Sequence, residues 1–140
     1  MKRFQKLVKF WLPTLFWMVV IFGFSTRPTP IVSKIDWRDF IFKKTIHLVE
    51  FGILFILFYR AFKNTSRMKL IEVAILSFLL VALYASTDEF HQTLIHGRTG
   101  TLRDILIDSS GAGLAWLGIW KYLPKAPAKL KNWAKKLQIS

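Results

Sequence analysis

The chain has 140 residues, 53% of them hydrophobic and 16% aromatic, including 13 Phe and 6 Trp, more apolar surface than a soluble unit of this length can hide. Its formal charge of +13, from 21 Lys+Arg against 8 Asp+Glu, would suit nucleic acid, but the basic residues lie between apolar runs rather than along one polar element. Basic flanks on membrane helices account for both extremes and name the lipid bilayer, not nucleic acid, as the partner; with no Cys there is no disulfide, Cys-bound zinc or thiol nucleophile.

Taken in chain order, Lys9 and Arg27 bracket 17 charge-free residues, FWLPTLFWMVVIFGFST. That length reaches the lower limit for crossing a bilayer, about 17 residues. GFSTRP is a poor cleavage site, so a retained helix is expected rather than a removed signal peptide. Pro13 should fall in its first turn or two, where proline is tolerated. The next stretch, IVSKIDWRDFIF, reads as an interfacial amphipathic segment. Lys44 and Arg60 then bracket 15 residues interrupted by His47 and Glu50; Glu72 and Asp88 bracket another 15, and Asp108 and Lys121 bracket 12. These runs cross a membrane only if some ionisable groups lie at or within its edge. The expected fold is all-α, a four-helix transmembrane bundle over residues 1–122 with spans near 7–25, 43–62, 69–92 and 103–122. Residues 123–140 form a basic tail with Leu130, Trp133 and Leu137 at helical spacing, read as a helix lying on anionic lipid.

Fourteen basic residues flank the termini and the second connection, against seven in the first and third connections. That bias places both termini in the cytoplasm of a multi-pass protein. The same orientation gathers the unusual polar groups at the outer face. Helix two brings Lys44, His47 and Glu50; helix three brings Asp88, Glu89, His91 and Gln92; helix four brings Asp104 and Asp108.

Each group has a plain alternative. Asp104, Asp108, Gly111, Ala115 and Gly118 form one helical stripe, so the acids share the face of the small residues that allow helices to approach closely. Asp108 is either a functional acid or a hydrogen-bonded clamp. Tyr84, Asp88, His91 and Gln92 share a face, whereas Glu89 points about 100° away on ideal geometry and joins them only if the helix bends or ends. His47 and Glu50 are a proton donor–acceptor pair, cation ligands, or a pair that satisfies itself. Arg98, between the glycines of HGRTG, is either a solvated turn or a fork aimed at phosphate or carboxylate. No HExxH, GxSxG or P-loop occurs. A cation, if used, would be an oxygen-bound one such as Mg²⁺ or Mn²⁺.

KTIHLVEFGILFILFYRAF and YASTDEFHQTLIHGRTGTLRDILIDSSGAGL together resemble the VanZ-like family of small bacterial membrane proteins. The pattern is Lys44, His47, Glu50 and Phe51, then Asp88, Glu89, His91 and Gln92, then Gly97 and Arg98, then Asp104, Asp108 and Gly111. Phe51 stands where the family more often has tyrosine, and His96 where proline often precedes Gly-Arg. The resemblance implies a plasma-membrane protein, and through the founding member a link to resistance to the glycopeptide teicoplanin. On this reading His47, Glu50, Asp88, Glu89, His91 and Asp108 would do any chemistry, and Lys44, Gln92, Arg98 and Asp104 would hold a lipid-linked envelope precursor or a phospholipid. A proton-coupled transporter and a non-catalytic structural subunit stay open beside it, as does catalysis itself.

Overall fold

A computed structural model describes residues 3–26, 36–95 and 100–139 of the chain. Helix α1 spans Arg3–Ser25, α2 Asp36–Thr65, α3 Leu70–Thr93 and α4 Leu102–Leu117; a π-helical turn (Gly118–Tyr122) and a 3-10 turn (Leu123–Lys125) lead to a short α5, Ala128–Lys136. The four long helices form the expected bundle.

Contacts fix its directions. Trp11 donates its indole N–H to Thr65 Oγ1 at 3.2 Å and Trp17 donates to the Glu50 carbonyl at 3.0 Å, so α1 and α2 run antiparallel. Tyr84 donates to the Met18 carbonyl at 2.6 Å and Ser25 to Asp88 at 2.7 Å, so α3 runs with α1. Lys44 meets Asp104 and Phe55 stacks near Trp116, so α4 runs with α2. The polar ends of α2, α3 and α4 and the end of α1 therefore lie together.

The bundle is apolar outside. Leu12, Phe16 and Val19 on α1, Leu79, Leu83 and Phe90 on α3, and Leu106 and Leu114 on α4 are all exposed by more than half. Asp88, Glu89, Asp104 and Asp108 are buried at 5% exposure or less. Water would reverse that distribution; hydrocarbon solvent produces it. Helices α1 and α3 are also long and apolar enough to cross a membrane by themselves. Between the two ends, Phe51, Leu54, Phe55 and Phe58 of α2 pack with Val73 and Val81 of α3 into an apolar core.

Three expectations change. Residues 36–42 of the predicted interfacial segment are the opening turns of α2, since no Gly or Pro lies between Pro30 and Gly52 to stop the helix. Arg103 lies 4.8 Å from the Phe40 ring and ties this extension to α4. Residues 31–35 of that segment lie outside the described ones. Pro13 is a helix-interior proline, because α1 begins at Arg3; the Lys9 carbonyl loses its i+4 donor there. Gly118 leaves the α4 stripe, with nothing within 4 Å of an added Cβ.

The π turn has a local cause. Pro124 has no N–H to give Trp120, and its ring crowds that carbonyl. The ladder slips one residue early, and Leu123 N–H reaches back five residues to the Gly118 carbonyl. Helix α5 does not lie free of the bundle. Its Ala134 is buried, Lys63 donates to the Ile139 carbonyl at 3.0 Å and Asn64 to the Gln138 carbonyl at 3.1 Å.

Candidate functional site

The site is built where α2 and α4 come closest. A Cβ placed on Gly111 would run into the carbonyl oxygen of Leu48, and one placed on Gly52 would sit 3.2 Å from the Gly111 carbonyl. This glycine-to-backbone contact sets the register that pairs Lys44 with Asp104 (2.9 Å) and His47 with Asp108 (3.6 Å). The first is a close ion pair, which Arg103 also approaches at 3.6 Å. The second is too long for a hydrogen bond. The ring of Phe51 stacks 6.4 Å from His47 and lies 6.2 Å from Tyr84, forming the apolar floor beneath them.

Helix α3 contributes two buried acids that face different neighbours. Asp88 Oδ2 accepts from Ser25 at 2.7 Å and from Gln92 at 2.9 Å, bolting α3 to the end of α1. Glu89 Oε2 accepts from the Thr101 N–H at 3.1 Å, bolting α3 to the start of α4. Helix α3 stays intact to Thr93, so no bend brings Glu89 in. The start of α4 comes to it instead, and Glu89 feels the charges of Asp104 and Asp108. Asp108 also feels Asp88, and Glu50 feels both Asp88 and Asp108. His91 stands to one side, its ring 4.4 Å from that of Phe22. Arg98, together with His96 and Gly97, lies outside the described residues.

Two contributors were not legible as site residues. Ser25 reads in sequence as a helix-end serine, yet it is 1% exposed and is a donor to Asp88. Thr101 caps α4, its hydroxyl accepting from Asp104 N–H at 3.3 Å; threonine three residues before an acid at a helix start was the available signal. Thr101→Ala should lower stability by about 0.5–2 kcal/mol, read as a thermal melt in detergent, because it uncaps the helix that carries both aspartates.

The cluster is under-satisfied. Among the described residues, Asp88 Oδ1, Glu89 Oε1, Asp104 Oδ1, both oxygens of Asp108, His47 Nδ1 and His91 Nδ1 at this end, and Arg60 Nε at the other, are buried without a hydrogen-bond partner, although Lys44 lies 2.9 Å from Asp104 Oδ1 and His47 3.6 Å from Asp108 Oδ1. Native interiors leave few such atoms, and each costs about 1–3 kcal/mol. All but Arg60 Nε lie at one end of the bundle, where the described residues supply too few donors for the acids present. Among the described residues no three His, Asp or Glu side chains are arranged to hold a metal ion, so the Mg²⁺ expectation gains no ligand set from them.

Residues 10–123 match the family model described as VanZ/LLP1. No curated protein and no solved structure matches the chain.

Proposed function

The chain belongs to the VanZ/LLP1 family, and from that premise we propose that it is a multi-pass protein of the bacterial cell membrane, with both termini cytoplasmic, whose outer end binds the polar head of a lipid-linked envelope molecule. One observation carries the reading: buried carboxylate oxygens of Asp88, Glu89 and Asp108, without a hydrogen-bond partner among the described residues, gather at the same end of an otherwise apolar bundle. A purely structural lock would spend those oxygens on internal donors. A proton relay would need polar groups through the full depth, and the α2 stretch from Phe51 to Phe58 is apolar throughout.

The charge balance narrows the ligand. Among the described residues, the acids Glu50, Asp88, Glu89, Asp104 and Asp108 gather here, and the ion pairs of Lys44 and Arg103 are both with Asp104. A site so rich in acceptors favours hydroxyl or amine donors, as on a sugar or amino-sugar head, over a bare phosphate. A phosphate in the same molecule belongs at the Lys44 edge. If the bound group reacts, His47 beside Asp108 is the pair placed to move a proton. Tolerance of teicoplanin is the cellular role that fits the family and an envelope ligand.

In nanodiscs, a polyprenyl-linked sugar should raise the melting temperature of the parent protein more than polyprenyl phosphate does. Asp108→Asn and His47→Ala should lose that gain. Equal shifts in parent and variants, or no shift with either lipid, would refute the reading. Expression of the parent but not of the two variants should raise teicoplanin tolerance; no change there removes the cellular role alone.

A further inference from the structure

The bundle's other end holds a cavity of about 540 Å³ that the polar site does not use. Tyr59 of α2, Ile71 and Ala74 of α3, and Trp116, Ile119 and Trp120 around the π turn make its apolar wall. The wall exists because of that turn: the slip forced by Pro124 breaks the α4 register between Trp116 and Trp120, whose rings still stack at 6.4 Å. Lys63, Lys131 and Lys135 stand at the cavity, and among its described lining residues there is no Asp or Glu. Lys63 gives one donor to the Ile139 carbonyl and an ammonium has three. The volume lies within the range of about 300–1,000 Å³ usual for small-molecule sites.

Its depth in the membrane is marked by aromatic residues. Trp120, Tyr122 and Trp133 are each exposed by more than 60% at this end, the arrangement of rings that sit at lipid headgroup level. An apolar cleft with a purely cationic mouth, at the height of the headgroups, complements an amphiphile with an anionic head and an acyl tail.

We propose that this cavity is a binding site for one anionic phospholipid of the leaflet at the α5 end. Its acyl chain lies on the Ile71–Trp116–Ile119 wall and its phosphate on Lys63, Lys131 and Lys135. Because Lys63 belongs to α2 while Lys131 and Lys135 belong to α5, the lipid bridges the two and holds the C-terminal helix on the bundle.

The test compares two charge reversals of equal size. Lys131→Glu/Lys135→Glu removes the cavity lysines, and Lys129→Glu/Lys136→Glu removes two neighbours that do not line it. Native mass spectrometry of the full chain, released from micelles doped with phosphatidylglycerol or phosphatidylcholine, reads the bound lipid. The parent and the Lys129/Lys136 variant should retain one phosphatidylglycerol in preference to phosphatidylcholine. The Lys131/Lys135 variant should bind phosphatidylglycerol at least tenfold more weakly. Equal loss in both variants would mean diffuse attraction to a basic tail and would overturn the site. Equal retention of both lipids by the parent, or a dimer that excludes lipid, would overturn it too. Trp120→Ala, which leaves every charge in place, should also weaken retention; unchanged retention would remove the acyl wall from the proposal.

Discussion

Gly111→Leu should abolish the assembled bundle, and Gly111→Ala should already lower its melting temperature clearly. The cause is backbone against backbone. A Cβ at position 111 meets the Leu48 carbonyl oxygen and comes within 2.9 Å of the Leu48 carbonyl carbon, and no rotamer change relieves that. Helices α2 and α4 must separate, at a cost above the roughly 1–3 kcal/mol typical of overpacking. Separation would also pull Lys44 from Asp104 and His47 from Asp108, so ligand binding should vanish in any Gly111→Ala protein that survives. Gly23→Ala and Gly118→Ala are the internal controls. Nothing lies within 4 Å of a Cβ at either position, and alanine is favoured over glycine in a helix by about 0.8–1 kcal/mol. Both should melt at or above the parent temperature. A Gly111→Leu protein that is monodisperse and melts like the parent would mean that α2 and α4 do not meet at this glycine.

The same contact shows what could be read before any coordinates. The stripe from Asp104 through Asp108 and Gly111 announces the face that α4 turns to its neighbour, because 3.6-residue periodicity fixes directions within one helix. The 100° step between Asp88 and Glu89 likewise separates their targets, Ser25 and Thr101. Span limits follow from hydropathy to within a few residues for α1, α3 and α4. The start of α2 does not, since the apolar pattern fades at Lys43 while nothing breaks the helix before Asp36. Partners across helices are illegible for the same reason: Ser25 and Asp88 are 63 residues apart, and only packing joins them. The tail shows the limit of amphipathicity. Leu130 and Trp133 do face outward, as expected of a lipid-facing stripe, but no pattern in the tail shows that Ala134 is buried or that the Gln138 and Ile139 carbonyls close onto α2.

The two deeply buried aspartates should respond to removal to different degrees. Asp88 is 2% exposed and accepts from both Ser25 and Gln92. Asp88→Ala strands two buried donors and unbolts α1 from α3, so stability should fall by about 2–5 kcal/mol, given that hydrogen bonds to a charged group contribute roughly 1.5–3 each. Asp108 is fully buried, and among the described residues neither of its oxygens has a hydrogen-bond partner. Its ion-pair neighbour there is the His47 ring, at 3.6 Å. Asp108→Ala breaks no short hydrogen bond, but it offsets the desolvation it relieves by taking from His47 its 3.6 Å partner, so the melting temperature should fall, and by less than for Asp88→Ala. Thermal melts of parent, Asp88→Ala and Asp108→Ala in one detergent decide the matter, with the polyprenyl-linked sugar added in a second series. The Asp108 variant should be the more stable of the two and blind to the ligand. A fall for Asp108→Ala as large as that for Asp88→Ala would make both residues structural clamps.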